Sequence, residues 1–293
     1  MVLIAKKKRV KNERKTVFLS AAMMLFFGLV LLMLYDKSIS YEEEETLKKQ
    51  MDALLLTLHN KIEETFKVSL ASSVILSKSP YVSACLSEQK RELCLDFLLE
   101  MRNSLAMANV FENARMHLHT KEFKSFMRLW DYSKDNYDDL SSFRHALEKV
   151  KQSNHAVYGI EIGRHGMFMR AIAPVFQKYD YIGTIETVVD FEDLGRYFKK
   201  DGIELYVLMK KEYQLIANAL NYDEKLSLDN YVIMNQSTNG LHFIKEVNFQ
   251  GTGYFKRGDN YVLYTPIVDI NGEHIGFYVL TWSESLSLAS FKG

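Results

Sequence analysis

The chain has 293 residues, enough for one large or two modest domains, and its 47% apolar and 25% charged side chains are those of an ordinary folded protein. Net charge is zero but unevenly placed: the first 15 residues hold seven Lys/Arg against Glu13 alone, leaving 30 basic against 36 acidic residues beyond them. A mildly acidic body has no broad attraction for phosphate backbones, which excludes nucleic acid as the expected partner.

Residues 17–34, VFLSAAMMLFFGLVLLML, carry no charge. As a helix this run spans about 27 Å, close to the hydrocarbon thickness of a bilayer. Basic residues precede it, while Asp36 and Glu42 to Glu45 follow. The positive-inside bias therefore predicts a cytoplasmic tail over 1–16, a lipid-contacting membrane helix over 17–35, and everything later outside a single-pass inner-membrane protein. A cleaved signal peptide is the rival reading. Its apolar region would be unusually long, and no small-x-small site stands near residues 35–40.

Leu47, Met51, Leu54, Leu58, Ile62, Phe66 and Leu70 recur every three or four residues, predicting a helix over 38–79 that ends before Pro80. At roughly 60 Å, such a stalk must bury part of its stripe on its own domain or on a second copy, so a homodimer through the stalk is expected. A second helix is expected over 88–108, using Leu93, Phe97, Leu98, Met101 and Leu105. The two cysteines, Cys85 and Cys94, either close a disulfide or remain two buried thiols.

From Ala114 the period changes to two, predicting strands over 115–119 and 126–130. Asp139 is placed to cap a short helix with Leu140, Phe143, Leu147 and Val150 on its apolar side. Strands at 157–162, 167–175 and 181–189 follow, and Asp190 opens a linking helix with Phe191, Leu194 and Phe198. A second run has expected strands at 203–209, 213–217, 241–247, 261–269 and 274–282, with a helix over 223–236 and a hairpin turn at Asn271-Gly272. Segments 171–190 and 263–282 look like a repeat: each has a strand with one proline (Pro174, Pro266), a tight turn, and a strand with Ile-Gly (Ile182-Gly183, Ile275-Gly276).

This arrangement resembles the double Cache sensor fold, the PAS-like ectodomain of bacterial chemoreceptors, sensor kinases and membrane diguanylate cyclases. The likeness is carried by Ser125, Phe126, Arg128, Asp138, Asp139, Leu140, Ser141, Phe143 and Arg144. It continues through Gly159, Glu161, Gly163, Arg164, Gly166, Arg170, Pro174 and Val175, a pattern similar to a Cache subgroup common in methyl-accepting chemotaxis proteins. The resemblance implies an α+β fold: a stalk and second helix over 36–110, a membrane-distal PAS-like unit over 111–190 and a membrane-proximal one over 191–293. It implies ligand sensing outside the cytoplasm, with no enzyme activity and no cofactor. Such receptors continue into a second membrane helix and a signalling domain, whereas this sequence stops eleven residues after Trp282, within SESLSLASFKG. The expected reading is a sensor lacking its own output domain, as a fragment, a frameshifted remnant or a stand-alone protein that signals through a separate partner. A ligand-free envelope scaffold is the alternative.

Parity on the first two strands puts Met116, Leu118, Met127 and Leu129 on a helix-packed face. Arg115, His117, His119, Phe126, Arg128 and Trp130 fall on the other, which is either solvent-facing or the wall of a pocket roofed by the 131–139 loop. Candidate ligand contacts are His117, Arg128, Trp130, Asp139, Arg144, Glu161 and Arg170. Arginine suits a carboxylate; an aromatic with acids suits an amine, so an organic acid or an amine is the expected ligand. Glu161, Arg170 and Arg144 either read that ligand or form a structural ion pair, and Asp139 is as well placed for a helix cap. His117-x-His119 supplies only two metal ligands, with no further His or Cys at diagnostic spacing, so neither a metal site nor a metal-dependent hydrolase is expected. No phosphate loop, nucleophile elbow or His-Glu-x-x-His occurs, and the glycines of 161–166 mark a turn between strands.

Overall fold

The computed structural model describes residues 2–111, 113–132, 137–220, 227–237, 240–245 and 247–285, with side chains from residue 23 onward. Outside the described residues lie the side chains of the basic tail, the middle of the 131–139 loop, the start of the expected 223–236 helix and residues 286–293. The chain divides into two compact units, 1–54 and 55–293.

In the first unit, helix α1 (Val2–Ser77 in all) presents Met24, Leu25, Phe26, Leu31 and Leu32 outward, each more than half exposed. Among the described residues one helix is long and apolar enough to cross a membrane; its apolar window has a mean hydropathy of 1.6 and none of it is buried. An exposed apolar helical surface of this length fits a lipid environment.

In the second unit, residues 55–77 of α1 are followed by α2 (Pro80–Glu88) and α3 (Glu92–Met107). Pro80 does more than stop α1. It occupies the first turn of α2, where its missing N–H costs nothing, and Ser79 caps that turn by accepting from Tyr81 N at 3.2 Å. The helix expected over 88–108 is α3, and the sequence reading has no counterpart of α2 before it; a disulfide between Cys85 and Cys94 joins the two.

The first sheet comprises β1 (Arg115–Thr120), β2 (Ser125–Arg128), β3 (Val157–Gly163), β4 (Gly166–Gln177) and β5 (Asp180–Val189), in the antiparallel order β2-β1-β5-β4-β3. Met116, Leu118, Met127, Leu129, Ala173, Val175 and Ile185 pack with Val82, Leu86, Leu98 and the disulfide in one core. Ser73 ties α1 to this sheet: its hydroxyl lies 2.8 Å from both Ala171 O and Thr187 Oγ1 and accepts from Thr187 N at 3.1 Å. On the opposite face lies α4 (His145–Ser153), with Leu140, Ala146, Leu147 and Val150 against Ile172.

After α5 (Glu192–Lys199) comes a second sheet of β6 (Glu204–Lys210), β7 (Ser227–Leu228), β8 (Tyr231–Ile233), β9 (Gly253–Arg257), β10 (Asn260–Val268) and β11 (His274–Ser283). Its order is β7-β8-β6-β11-β10-β9, so five of its strands repeat the order of the first sheet. The sequence repeat is thus structural: β4–β5 and β10–β11 are equivalent hairpins, each with a register shift one or two residues after its proline. The Ile-Gly pair has a steric cause. A Cβ on Gly183 would strike the carbonyl oxygen of His119, and one on Gly276 that of Leu208, because the neighbouring strand's backbone passes directly over both glycines.

Several local expectations in the second run are corrected. In place of the described part of the 223–236 helix there is a hairpin of β7 and β8, turned at Asp229 with positive φ, whose Val232 and Ile233 pair with β6. Segments 213–217 and 241–247 are not strands but contain 3-10 turns, Lys211–Leu215 and Leu241–Phe243. The free edge of β6 is paired with β8, while Leu241 and Phe243 cover the second core.

Candidate functional site

Strand alternation places one polar set on the α4 side of the first sheet. His117 lies opposite Glu186, and His119 opposite Thr184; on β2, Arg128 pairs with His117. Arg170 on β4 faces Val188 on β5 and Gly159 on β3, with Phe168 opposite Glu161. This face is buried: His117, His119, Arg128, Glu161, Arg170 and Glu186 are each less than a tenth exposed. Phe126 departs from the expected parity. The register of β1 and β2 breaks between Leu118 and His119, so Ser125 turns inward to bond His117 Nε2 at 2.8 Å while Phe126 joins the helix-side core.

Beneath the surface runs an ion network. Glu186 Oε1 accepts from Arg144 Nη2 at 2.6 Å and Arg170 Nη1 at 2.9 Å, and Glu161 Oε2 accepts from Arg144 Nε at 2.5 Å. Glu161 Oε1 also accepts from Ala146 N at 2.9 Å, satisfying a free N–H at the start of α4. The local cap expected at Asp139 is thus absent: the helix begins six residues later, and exposed Asp139 instead accepts from Ser141 N and Oγ. Two carboxylates balance two guanidiniums, which is what makes their burial tolerable. Burial alone would raise the Glu186 pKa, but Arg144 and Arg170, helped by His117 and His119, hold it well below the carboxylate range. Burial likewise works to lower both guanidiniums. Glu186 and Glu161 outweigh it at Arg144, which is raised, whereas Arg170, beside Arg144, stays lowered.

Above the network is a cavity of about 30 Å³ lined by Arg115, His117, Arg128, Trp130, Phe143, Arg144, Arg164, His165, Phe168 and Arg170, with Leu140, Gly163 and Val188. That is room for about two water molecules. Among the described residues no carboxylate lines it. Arg128 is held by Asp138 at 2.8 Å, and Arg164 Nε lies 3.8 Å from the same acid. Among the described residues Arg115 has no acid within ion-pair distance; its guanidinium sits 5.1 Å from the Phe168 ring centre and 6.0 Å from that of Trp130. Burial, followed by Arg128, Arg115 and Arg170, lowers the His165 pKa. Arg115, Trp130, His165 and Phe168 also border an outer cavity of about 970 Å³, where Asp190, Glu192, Arg102 and Gln236 stand.

Of the seven candidate residues, His117, Arg128, Trp130, Arg144 and Arg170 line the inner cavity; Glu161 lies in the network behind it and Asp139 lies outside. Sequence reasoning set Arg115 on the correct face without selecting it. It missed Arg164 and His165, which occupy the quoted β3–β4 turn, and Glu186, whose role only the pairing of β5 with β1 reveals.

A family profile described as the double sensory domain of two-component sensor kinases matches residues 44–283. Similar solved structures include a domain of a sensory box/GGDEF family protein from Vibrio parahaemolyticus: 16% identity, 84% of this chain and 99% of that one, TM-score 0.49. The ligand-binding domain of the Campylobacter jejuni chemoreceptor Tlp3 in complex with L-valine aligns at 12% identity over 83% and 94%, TM-score 0.43. The sensor domain of the V. cholerae histidine kinase DctB aligns at 11% over 83% and 97%, TM-score 0.41. No curated protein matches the chain.

Proposed function

The chain belongs to the double sensory domain family of two-component sensor kinases, and on that basis we propose that it senses a small carboxylate outside the cytoplasm, seated in the inner cavity of the first sheet. The observation that carries this reading is the lining itself: several guanidiniums and two imidazoles, and among the described residues no carboxylate and no acid within ion-pair distance of Arg115, which lies beside Trp130 and Phe168. A guanidinium already desolvated by aromatic rings gains most from a bidentate carboxylate. The acid group fills the inner cavity, and the rest of the molecule extends into the outer one.

A second reading, an amine ligand, is favoured by Asp190 and Glu192 on the outer cavity. A molecule carrying both groups would place its carboxylate inward and its amine toward these acids.

The basic tail lies in the cytoplasm, residues 17–35 contact lipid, and the sheets lie outside. Ligand shifts the balance between arrangements of the first sheet and residues 55–77 of α1, to which Ser73 joins it, by binding one arrangement more tightly. A parallel dimer through the stalk carries this change to a signalling partner. Thermal unfolding of the full chain in detergent against panels of carboxylates, amino acids and amines tests the reading. Stabilisation by carboxylate-bearing compounds is expected. Stabilisation by amines alone supports the second reading, and no stabilisation by any compound overturns both.

A further inference from the structure

Three polar atoms converge on one point behind the inner cavity, on the side of Glu186 away from its arginine-bonded oxygen Oε1. His117 Nδ1 and His119 Nε2 lie 3.0 Å apart, and Glu186 Oε2 is 3.5 Å from the first and 3.4 Å from the second. Ligand atoms bound tetrahedrally to zinc at 2.0–2.1 Å stand about 3.3–3.5 Å from one another. The triangle therefore has nearly the dimensions of one face of such a site before any metal draws the ligands into place.

Two independent features point the same way. Glu186 Oε2 is completely buried yet accepts no hydrogen bond among the described residues, although Oε1 of the same carboxylate takes two arginines. A buried carboxylate oxygen without a donor is costly, and a cation at the centre of the triangle would satisfy it. The outer nitrogens are also oriented: His117 Nε2 meets Ser125 Oγ at 2.8 Å and His119 Nδ1 meets Thr184 Oγ1 at 2.9 Å. With N–H groups donating to these hydroxyls, both inner nitrogens present lone pairs, the tautomers that metal ligation requires. The competing arrangement, a single proton shared between the rings, gives Oε2 only long contacts of 3.4–3.5 Å.

The geometry points to His117, His119 and Glu186 as a binding site for a divalent transition metal of the zinc class. The third ligand is 67 residues from the nearer histidine in sequence and becomes its neighbour only through the β1–β5 pairing. The surroundings narrow the choice of ion. Glu161 and Glu186 already balance Arg144 and Arg170, so a dication adds unbalanced charge, and only strong imidazole bonds compensate for that. Oxygen-seeking Mg²⁺ and Ca²⁺, which want six or more oxygen ligands, are disfavoured. His117 lines the inner cavity, which gives the ion a route in.

The test uses the full chain in detergent, free of any histidine tag, stripped with a chelator, loaded with Zn²⁺ and dialysed before metal analysis. One zinc per chain is expected, with Co²⁺ giving the intense visible absorption of a tetrahedral site. His119→Asn should abolish retention. Ser125→Ala and Thr184→Val keep all three ligands and should weaken zinc binding roughly 10- to 100-fold. Unmutated chain that retains no zinc and leaves Co²⁺ with the spectrum of its hydrated ion overturns the proposal, as does equal retention by His119→Asn.

Discussion

Arg144 donates to Glu186 across 2.6 Å although 42 residues separate them, joining the start of α4 to the strand at the centre of the first sheet. With Glu161 on the other side of Arg144, that contact fixes the depth at which the helix sits and so the floor of the cavity. Arg144→Leu would leave two buried carboxylates short of a partner and should cost about 3–5 kcal/mol. Urea unfolding of the full chain in detergent checks this. A loss below about 1 kcal/mol, the level of exposed pairs, would mean that the network does not hold the fold.

His165 should make ligand affinity depend on pH. In the empty cavity burial and the charges of Arg128, Arg115 and Arg170 favour its neutral form. A bound carboxylate opposes that field and draws a proton onto the ring. Affinity should therefore rise as pH falls through the imidazole range, and His165→Gln should flatten the profile while binding persists at high pH. Binding measured at a series of pH values would contradict this if the slope were absent, or unchanged in the variant.

The Cys85–Cys94 disulfide closes a short loop between α2 and α3 in the first core. Loop entropy alone assigns it about 2–3 kcal/mol. The Cys85→Ala/Cys94→Ala double variant should unfold at correspondingly lower temperature, and an unchanged midpoint would deny the bond a structural role.

Orientation is open to a labelling experiment. Tyr179, at the β4–β5 turn, is 98% exposed, and both native cysteines are bonded to each other. In intact cells Tyr179→Cys should react with a membrane-impermeant thiol reagent, and a cysteine placed at Lys7 should not. The reverse pattern would put the sheets in the cytosol.

Much of the fold was legible from sequence because its signals are local. The period of two through Met116 to His119, the proline hairpins and the Ile-Gly pairs each reflect a constraint within one or two strands. What stayed hidden depends on pairing between distant segments. Alternation alone assigns Phe126 to the wrong face because it cannot reveal a register break, and the hairpin of β7 and β8 carries a helix-like pattern because its place beside β6 is a tertiary fact. For the same reason the candidate site was read only in part. His117, Arg128 and Trp130 share a face by parity alone, whereas the partners of Arg144, Arg170 and Glu161 converge only once β5 lies between β1 and β4.

Carboxylate sensing turns most on Arg115, which among the described residues has no acid within ion-pair distance. Titration calorimetry of a stabilising carboxylate into the unmutated chain and into Arg115→Ala tests it directly. Affinity should fall roughly 10- to 100-fold, the worth of a charge-assisted contact, while the unfolding midpoint moves little, because Arg115 forms no ion pair among the described residues and acts on Asp190 only through its longer-range charge. Equal affinity in the two proteins would mean that the acid group is bound elsewhere, and would contradict carboxylate sensing by this cavity.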